Sequence, residues 1–192
     1  WGRALLHSPD HGKHEADDKG FLLSQEACKE LFDEGARVSE RYAFLLQLKD
    51  YPRVVRDTER NMKLFRFVNR YAERQADREN LEKWWPYVLR INGMAKALIA
   101  ADGEDYGRAL EAVSQARERI NNWPEIEAEE FYAERERSEA ALDELERELL
   151  EKKPLSHREQ LERSLQEAID SEEFERAAVL RDELKNIQIA EE

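Results

Sequence analysis

The chain has 192 residues, 39% of them charged, and a net charge of −13, which argues against general nucleic-acid binding. Its length suits one domain, or one domain with a small module. No apolar run reaches the roughly 18 residues of a membrane span, and no signal peptide is visible, so we expect no membrane partner. The single Cys28 excludes an internal disulfide and suggests a reducing compartment, so we expect a cytoplasmic protein.

The charge is unevenly distributed. Residues 101–192 carry 28 acidic and 13 basic residues, whereas residues 1–100 carry 16 and 18. This division predicts that the two halves attract each other or meet different partners. The chain begins with Trp1 and not with Met, so we also expect a segment upstream of it.

Residues 1–20 have the composition of a loop or tail. Three histidines and two acids cluster there: His7, His11, His14, Asp10 and Asp17. A zinc or nickel site is one interpretation, and a tail is the one that we favour, because Pro9 and Gly12 would break a helix that carried the histidines. We therefore expect no metal and no cofactor.

Residues 21–121 read as a body of helical hairpins, because apolar residues recur every three or four positions. The first predicted helix starts near Leu23 and the second covers about 52–75. A third, capped by Asp77, carries Pro86, which either kinks it or marks its true start. A fourth covers about 106–120. The pattern predicts an all-α fold of antiparallel hairpins, an irregular bundle in which residues 104–120 are similar to a tetratricopeptide repeat helix.

Residues 122–155 are predicted to form a long charged helix from Pro124 and a linker, "KKPLS". The candidate buried stripe of this helix is Ala128, Phe131, Arg135, Ser138, Leu142, Leu145 and Leu149. Ser156 and Glu159 form a capping-box pattern that starts a last pair of helices at 156–188.

One phrase recurs three times: an acid, an aromatic residue, any residue, Arg, and two apolar residues. It begins at Asp50, Asp105 and Glu173. Each copy lies at the predicted start of the second helix of a hairpin, where an acid favours the helix dipole and the aromatic packs back on the first helix. Either the phrase marks repeated helix-pair units, or any helical hairpin prefers these residues.

The third copy extends into a longer pattern, "REQLERSLQEAIDSEEFERAAVLRDELKNI", which resembles the UVR motif of bacterial UvrB and UvrC. The residues that carry the resemblance are Leu161, Leu165, Ala168, Phe174, Glu175, Ala177, Ala178, Leu180, Arg181, Asp182 and Leu184. The resemblance implies an antiparallel hairpin that binds a partner's hairpin or its own copy. The expected partner-binding residues are Leu161, Leu165, Ala168, Phe174, Ala177, Ala178, Arg181 and Asp182, the last two forming a charged rim, a cross-hairpin pair or simply a solvated face.

A basic row follows the helical period along residues 53–78. It consists of Arg53, Arg56, Arg60, Lys63, Arg66, Arg70, Arg74 and Arg78. On one continuous helix these residues would form a stripe about 38 Å long, at about 1.5 Å per residue. The row either binds phosphates, most plausibly those of RNA, or pairs with acids of residues 125–151 or of its own helix. The internal pairing is the interpretation that we favour, because the molecule is acidic.

No catalytic group is evident, and the helicase and nuclease motifs of UvrB and UvrC are absent, so we expect no enzyme activity. The sequence predicts a cytoplasmic bacterial adaptor or regulatory scaffold that docks a partner, or itself, through residues 156–188. The body at 21–121 would supply a second surface. The alternative is an RNA- or ribosome-associated protein that uses the basic row.

Overall fold

The computed structural model describes residues 20–190, with side chains as far as Ile187, and folds them into eight α-helices. The helices are α1 (Gln25–Gln47), α2 (Tyr51–Tyr71), α3 (Gln75–Glu82), α4 (Trp85–Asp102), α5 (Tyr106–Asn121), α6 (Glu129–Lys152), α7 (His157–Asp170) and α8 (Phe174–Ala190). Within the described residues the β-type pairing is an isolated bridge between Leu23 and Ala72. The predicted all-α class is confirmed.

The chain divides into two compact units, Trp1–Leu145 and Glu146–Glu192. We call them the first and the second unit; the division falls inside α6. In the first unit α1 packs on α2, α2 on α4, and α4 on α5, so the hairpins stack side by side. The second unit contains α7 packed on α8.

Helices α4 and α5 approach each other closely at Gly93. A Cβ added at Gly93 would come well inside 3.0 Å of the Cβ of Ala116. Both residues are buried, so the two helices touch almost backbone to backbone at this point. Glycine is required here by space and not by backbone conformation.

Polar side chains cross the same core. The amide of Asn92 donates to the Thr58 hydroxyl at 2.9 Å, and the amide of Asn61 donates to the Gly35 carbonyl at 3.0 Å. These bonds tie α2 to α4 and to α1. Beside them, burial raises the pKa of Tyr42 to about 12. Cys28 is fully buried, as expected of a core residue.

The acidic helix α6 lies against basic side chains of the first unit. Lys83 contacts Glu130 at 2.7 Å, and Arg117 contacts Asp143 at 2.7 Å. Arg90 reaches the buried Glu134 at 3.4 Å. The pairs of Lys83 and Arg90 join the basic part of the chain, residues 1–100, to the acidic part, as the charge distribution predicts, whereas the Arg117 pair lies within the acidic part. Glu134, and not Arg135, occupies the buried stripe of α6.

Three helix boundaries differ from the sequence prediction. The predicted third helix is two helices, and Pro86 stands in the first turn of α4, where its missing N–H costs no hydrogen bond. Asp77 does not cap α3: the N-cap is Arg74, and Asp77 lies inside the first turn. The long helix α6 begins at Glu129, not Pro124, after a short non-helical stretch.

No helix among residues 20–190 is long and apolar enough to cross a membrane.

Candidate partner-binding hairpin

The two helices of the second unit, α7 and α8, are joined by a tight turn at residues 171–173; we call them the C-terminal hairpin. The N–H of Glu173 donates to the Ala168 carbonyl at 2.8 Å, and the N–H of Glu172 donates to the Ile169 carbonyl at 3.0 Å. Glu172 has φ of +57°. This is a Schellman motif, in which a left-handed residue ends one helix and satisfies its last carbonyls.

The same turn occurs twice more, between α1 and α2 and between α4 and α5. Lys49 (φ +59°) and Glu104 (φ +60°) take the place of Glu172. The N–H of Asp50 donates to the Leu45 carbonyl, and the N–H of Asp105 donates to the Ala100 carbonyl, both at 3.0 Å. The residue that completes each turn also starts the next helix.

The pattern that recurs in the sequence therefore marks the turn between two helices and the start of the second helix. The carboxylates of Asp50 and Asp105 each cap the second helix of their hairpin. In all three copies the acid also pairs with the Arg three residues later: Asp50 with Arg53 at 3.1 Å, Asp105 with Arg108 at 3.5 Å and Glu173 with Arg176 at 3.0 Å. The second interpretation given above, that helical hairpins prefer these residues, accounts for the acid and the Arg.

The start of α7 is fixed by the capping box that the sequence predicts. The Ser156 hydroxyl accepts from the Glu159 N–H at 3.2 Å, and the Glu159 carboxylate accepts from the Ser156 N–H at 2.6 Å. The hydrogen bonds from Ser156 lower the pKa of Glu159. The linker "KKPLS" therefore ends at a defined residue.

Three predicted partner-binding residues lie inside the molecule. Leu161, Ala168 and Ala177 are buried, so they hold the hairpin together and do not offer contact surface. The prediction of an exposed role is wrong for these three, because small or inward-pointing residues on the facing sides of two helices are covered by the opposite helix. Leu165 is half-buried and Ala178 is exposed.

Phe174 is the most exposed large apolar side chain of the described residues. It is 69% exposed, and Val179 and Ile169 near it in sequence are also exposed. Tyr51, at the same position of the α1–α2 turn, is 8% exposed. Tyr106, at that position of the α4–α5 turn, is half-buried. The expectation that the aromatic packs back on the first helix fails for Phe174, whereas Tyr51 is buried.

Arg181 and Asp182 lie next to each other on the exposed side of α8. Their side chains approach to 3.7 Å, and both are largely exposed. Adjacent residues of a helix do not face each other well, so this pair contributes little stability. Both groups remain accessible, as a charged rim or a solvated face requires.

The basic row is not one continuous stripe, because α2 ends at Tyr71 and a new helix starts after Arg74. Arg74 and Arg78 therefore leave the row. Arg78 donates to the Ala72 carbonyl at 2.7 Å, and Arg74 pairs with Asp77 at 3.4 Å. Of the residues on α2, Arg56 pairs with the buried Asp57 at 3.1 Å and Arg60 with Glu34.

The acids that pair with this row are Glu34 on α1, Asp57 on α2, Asp77 on α3 and Asp50 in the turn before α2. None of these four belongs to residues 125–151, which were one of the predicted sources of acids. The internal pairing that we favoured therefore holds for several members of the row. Sequence reasoning missed the aromatic residues beside it, Phe67 and Tyr71, although their spacing matched the same helical face.

The candidate metal ligands His7, His11 and His14 lie outside the described residues. Among residues 20–190 no group of three or more His, Cys, Asp or Glu side chains is placed to hold a metal ion.

The comparison with known proteins gives one match, which covers the C-terminal hairpin. Residues 158–190 match the family model described as the UvrB/uvrC motif. No curated protein and no solved structure matches the chain. UVR motifs occur in proteins that interact with other proteins and with DNA. The chain therefore carries a UVR motif, formed by α7 and α8, in its C-terminal part.

Proposed function

We propose that the protein is a non-enzymatic adaptor or regulatory scaffold that docks a second helical hairpin through the C-terminal hairpin. The occupant is a partner's hairpin or the same hairpin of another copy. The first unit supplies a separate surface, and the proposed setting is the bacterial cytoplasm, which the single buried Cys28 suits.

The observation that carries the proposal is the exposure of Phe174. Tyr51 holds the same position in the α1–α2 turn and is covered, and α2 packs on both α1 and α4. Burial is the main cause that raises the pKa of Tyr51, and the charge of Asp102, at the end of α4, adds to it. In the first unit a neighbouring hairpin thus lies near the aromatic residue. Phe174 follows the same type of turn, but its ring is exposed to solvent, and a second hairpin would cover it.

Burial of Phe174 would contribute substantially to docking. Phe174 is 69% exposed. Two thirds of a ~200 Å² aromatic side chain, at ~25 cal/mol per Å², gives about 3 kcal/mol on burial. This corresponds to about a hundredfold in affinity. Burial of Val179 and Ile169 would add to it.

The test compares the full-length chain with Phe174→Asp and with Phe44→Asp. Phe44 is 59% exposed on α1, so this control adds the same charge to an exposed aromatic position outside the hairpin. Affinity capture identifies partners, and sedimentation over a concentration series measures self-association. The proposal expects that Phe174→Asp loses a partner or the self-association and that Phe44→Asp keeps it.

The opposite outcome is also defined. If both variants capture the same partners as the wild type, and all three sediment alike, the hairpin is not the docking surface. Circular dichroism at 222 nm on each variant would show that the helices are intact, since Phe174 is in solvent and contributes little to folding.

A further inference from the structure

The second half of α2 contributes basic side chains and no acidic ones. Residues 60–72 read "RNMKLFRFVNRYA", with four basic residues and no acidic one. Lys63 and Phe67 are four residues apart, and Arg60 and Tyr71 continue the same spacing, so these side chains share the outward face of the helix. Lys63 and Arg60 are exposed, and Phe67 is 39% exposed.

An aromatic cluster is built into this surface. The ring of Phe21 lies 6.2 Å from that of Phe67 and 5.4 Å from that of Tyr71, and the rings of Phe67 and Tyr71 lie 5.0 Å apart. Phe21 is itself 52% exposed. Contiguous apolar patches that are exposed to water often mark interaction sites.

The segment before α1 holds Phe21 in place. The N–H of Leu23 donates to the Tyr71 carbonyl at 2.8 Å, and the N–H of Glu73 donates to the Leu23 carbonyl at 3.1 Å. These two bonds anchor the chain beside the end of α2, next to the rings. The cluster is therefore a fixed feature of the first unit.

The charges around the cluster are mainly positive. Arg66 lies over the Trp85 ring at 5.5 Å, and Arg70 lies over the Tyr71 ring at 5.1 Å. Arg119 from α5 is close enough to Arg66 that, after burial, this neighbour is the next cause that lowers the pKa of Arg119. Glu34 pairs with Arg60, and Glu59 pairs with Lys96 at 3.1 Å.

We propose that this surface binds single-stranded nucleic acid, with bases stacked on the rings of Phe67 and Phe21 and phosphates on Lys63 and Arg60. Unpaired bases expose flat faces that stack on aromatic side chains, and neighbouring cations follow the phosphate backbone. A duplex hides its base faces, so it would use only the cations. An acidic peptide without aromatic or apolar side chains, such as polyglutamate, would likewise gain nothing from Phe67.

The experiment measures binding of the full chain to a labelled single-stranded pyrimidine oligonucleotide of about 12 nucleotides, by fluorescence anisotropy at low salt. RNA and DNA versions are both tested, together with the matching duplex and with polyglutamate as a competitor. We expect the single strand to bind more tightly than the duplex. The slope of log K against log salt should be about −1.4, as ~0.7 per neutralised phosphate gives for the two contacts of Lys63 and Arg60.

Two variants separate stacking from charge. Phe67→Ala should weaken binding about tenfold with an unchanged salt slope, because it removes one stacked base. Lys63→Gln should weaken binding and reduce the slope by about 0.7. The matched controls, Phe44→Ala and Arg108→Gln, change an exposed aromatic on α1 and an 80% exposed cation on α5 and should bind like the wild type.

Three results would overturn the proposal: no binding at low salt, tighter binding of the duplex, or Phe67→Ala binding as well as the wild type. The last result, with displacement by polyglutamate, would show attraction of any polyanion. Phe174→Asp should leave this binding intact, which makes it independent of docking through the C-terminal hairpin.

Discussion

The contact between Gly93 and Ala116 makes the sharpest prediction about stability. Gly93→Ala would place a new methyl group well inside 3.0 Å of the Ala116 methyl group, and neither group can rotate away. Carbon atoms prefer separations of about 3.5–4.0 Å, so α4 and α5 would have to separate by about 1 Å at this contact.

The expected magnitude combines two opposing effects. Overpacking of a closed core costs about 1–3 kcal/mol, and the absence of a flexible side chain at this contact favours the upper end. Replacing Gly by Ala inside a helix returns about 1 kcal/mol. We therefore expect Gly93→Ala to lower the free energy of unfolding of the first unit by about 2 kcal/mol.

Urea denaturation followed by tryptophan fluorescence measures this change, because Trp85 and Trp123 stack in the same unit with ring centroids 4.0 Å apart. The matched control is Gly107→Ala on α5, where the nearest neighbour of a new Cβ is the Asp105 carboxylate at 3.6 Å. That variant should be about 0.5 kcal/mol more stable than the wild type.

A second variant tests the cause. Gly93→Ala with Ala116→Gly moves the methyl group from one helix to the other and should return to within about 1 kcal/mol of the wild type. If Gly93→Ala alone is as stable as the wild type, or if Ala116→Gly does not rescue it, the close approach of α4 and α5 is not what Gly93 provides.

Three further predictions concern the ion pairs, the caps and the turns. Burial favours the neutral acid at Asp57, but hydrogen bonds from Arg41 and Arg56 outweigh this effect and lower the pKa of Asp57. Its carboxylate therefore stabilises the fold above about pH 4, and this stabilisation is lost as pH falls through the folded-state pKa. Asp57→Asn should lose less stability between about pH 5 and pH 3 than the wild type, and equal losses in urea titrations would contradict this. Ser156→Ala removes the capping box of α7 and should destabilise the second unit by about 1 kcal/mol. Faster amide exchange at the start of α7 would show this loss, and the control is Ser171→Ala, at an exposed position. Glu172→Gly relieves a φ of +57° and should stabilise the C-terminal hairpin by about 0.5–1 kcal/mol; the same exchange measurement would expose the opposite sign.

The helices could be predicted from the sequence because their apolar spacing is regular. Cys28, Val38 and Tyr42 fall on one period and are buried together. The helix boundaries were harder to predict: Pro86 was compatible with a kink or with a helix start, and in the structure it stands in the first turn of α4. The α2 terminus was missed because a helical spacing of cations continues through Arg74 although the helix does not.

The candidate site was predictable as a segment and not as a surface. The motif located the C-terminal hairpin, yet its residues divide between interior and exterior according to the side that each helix turns to the other. Ala177 and Ala178 are neighbours of the same type, and one is buried and the other exposed. Phe21 could not be assigned to the aromatic cluster from sequence, since 46 positions separate it from Phe67 and a pair of backbone hydrogen bonds brings them together.

The three matching turns have a consequence for how such a chain can change. In each turn, about six consecutive residues supply the hydrogen bonds that end one helix and start an antiparallel one, without contacts from distant parts of the chain. Such a turn can be duplicated or exchanged without changing which residues of the adjoining helices face each other. Transplanting residues 48–51 in place of 171–174 should accordingly preserve the reversal of direction, because it leaves the buried Ala168 and Ala177 unchanged. It would replace the exposed phenylalanine by a tyrosine, which is able to hydrogen-bond to water.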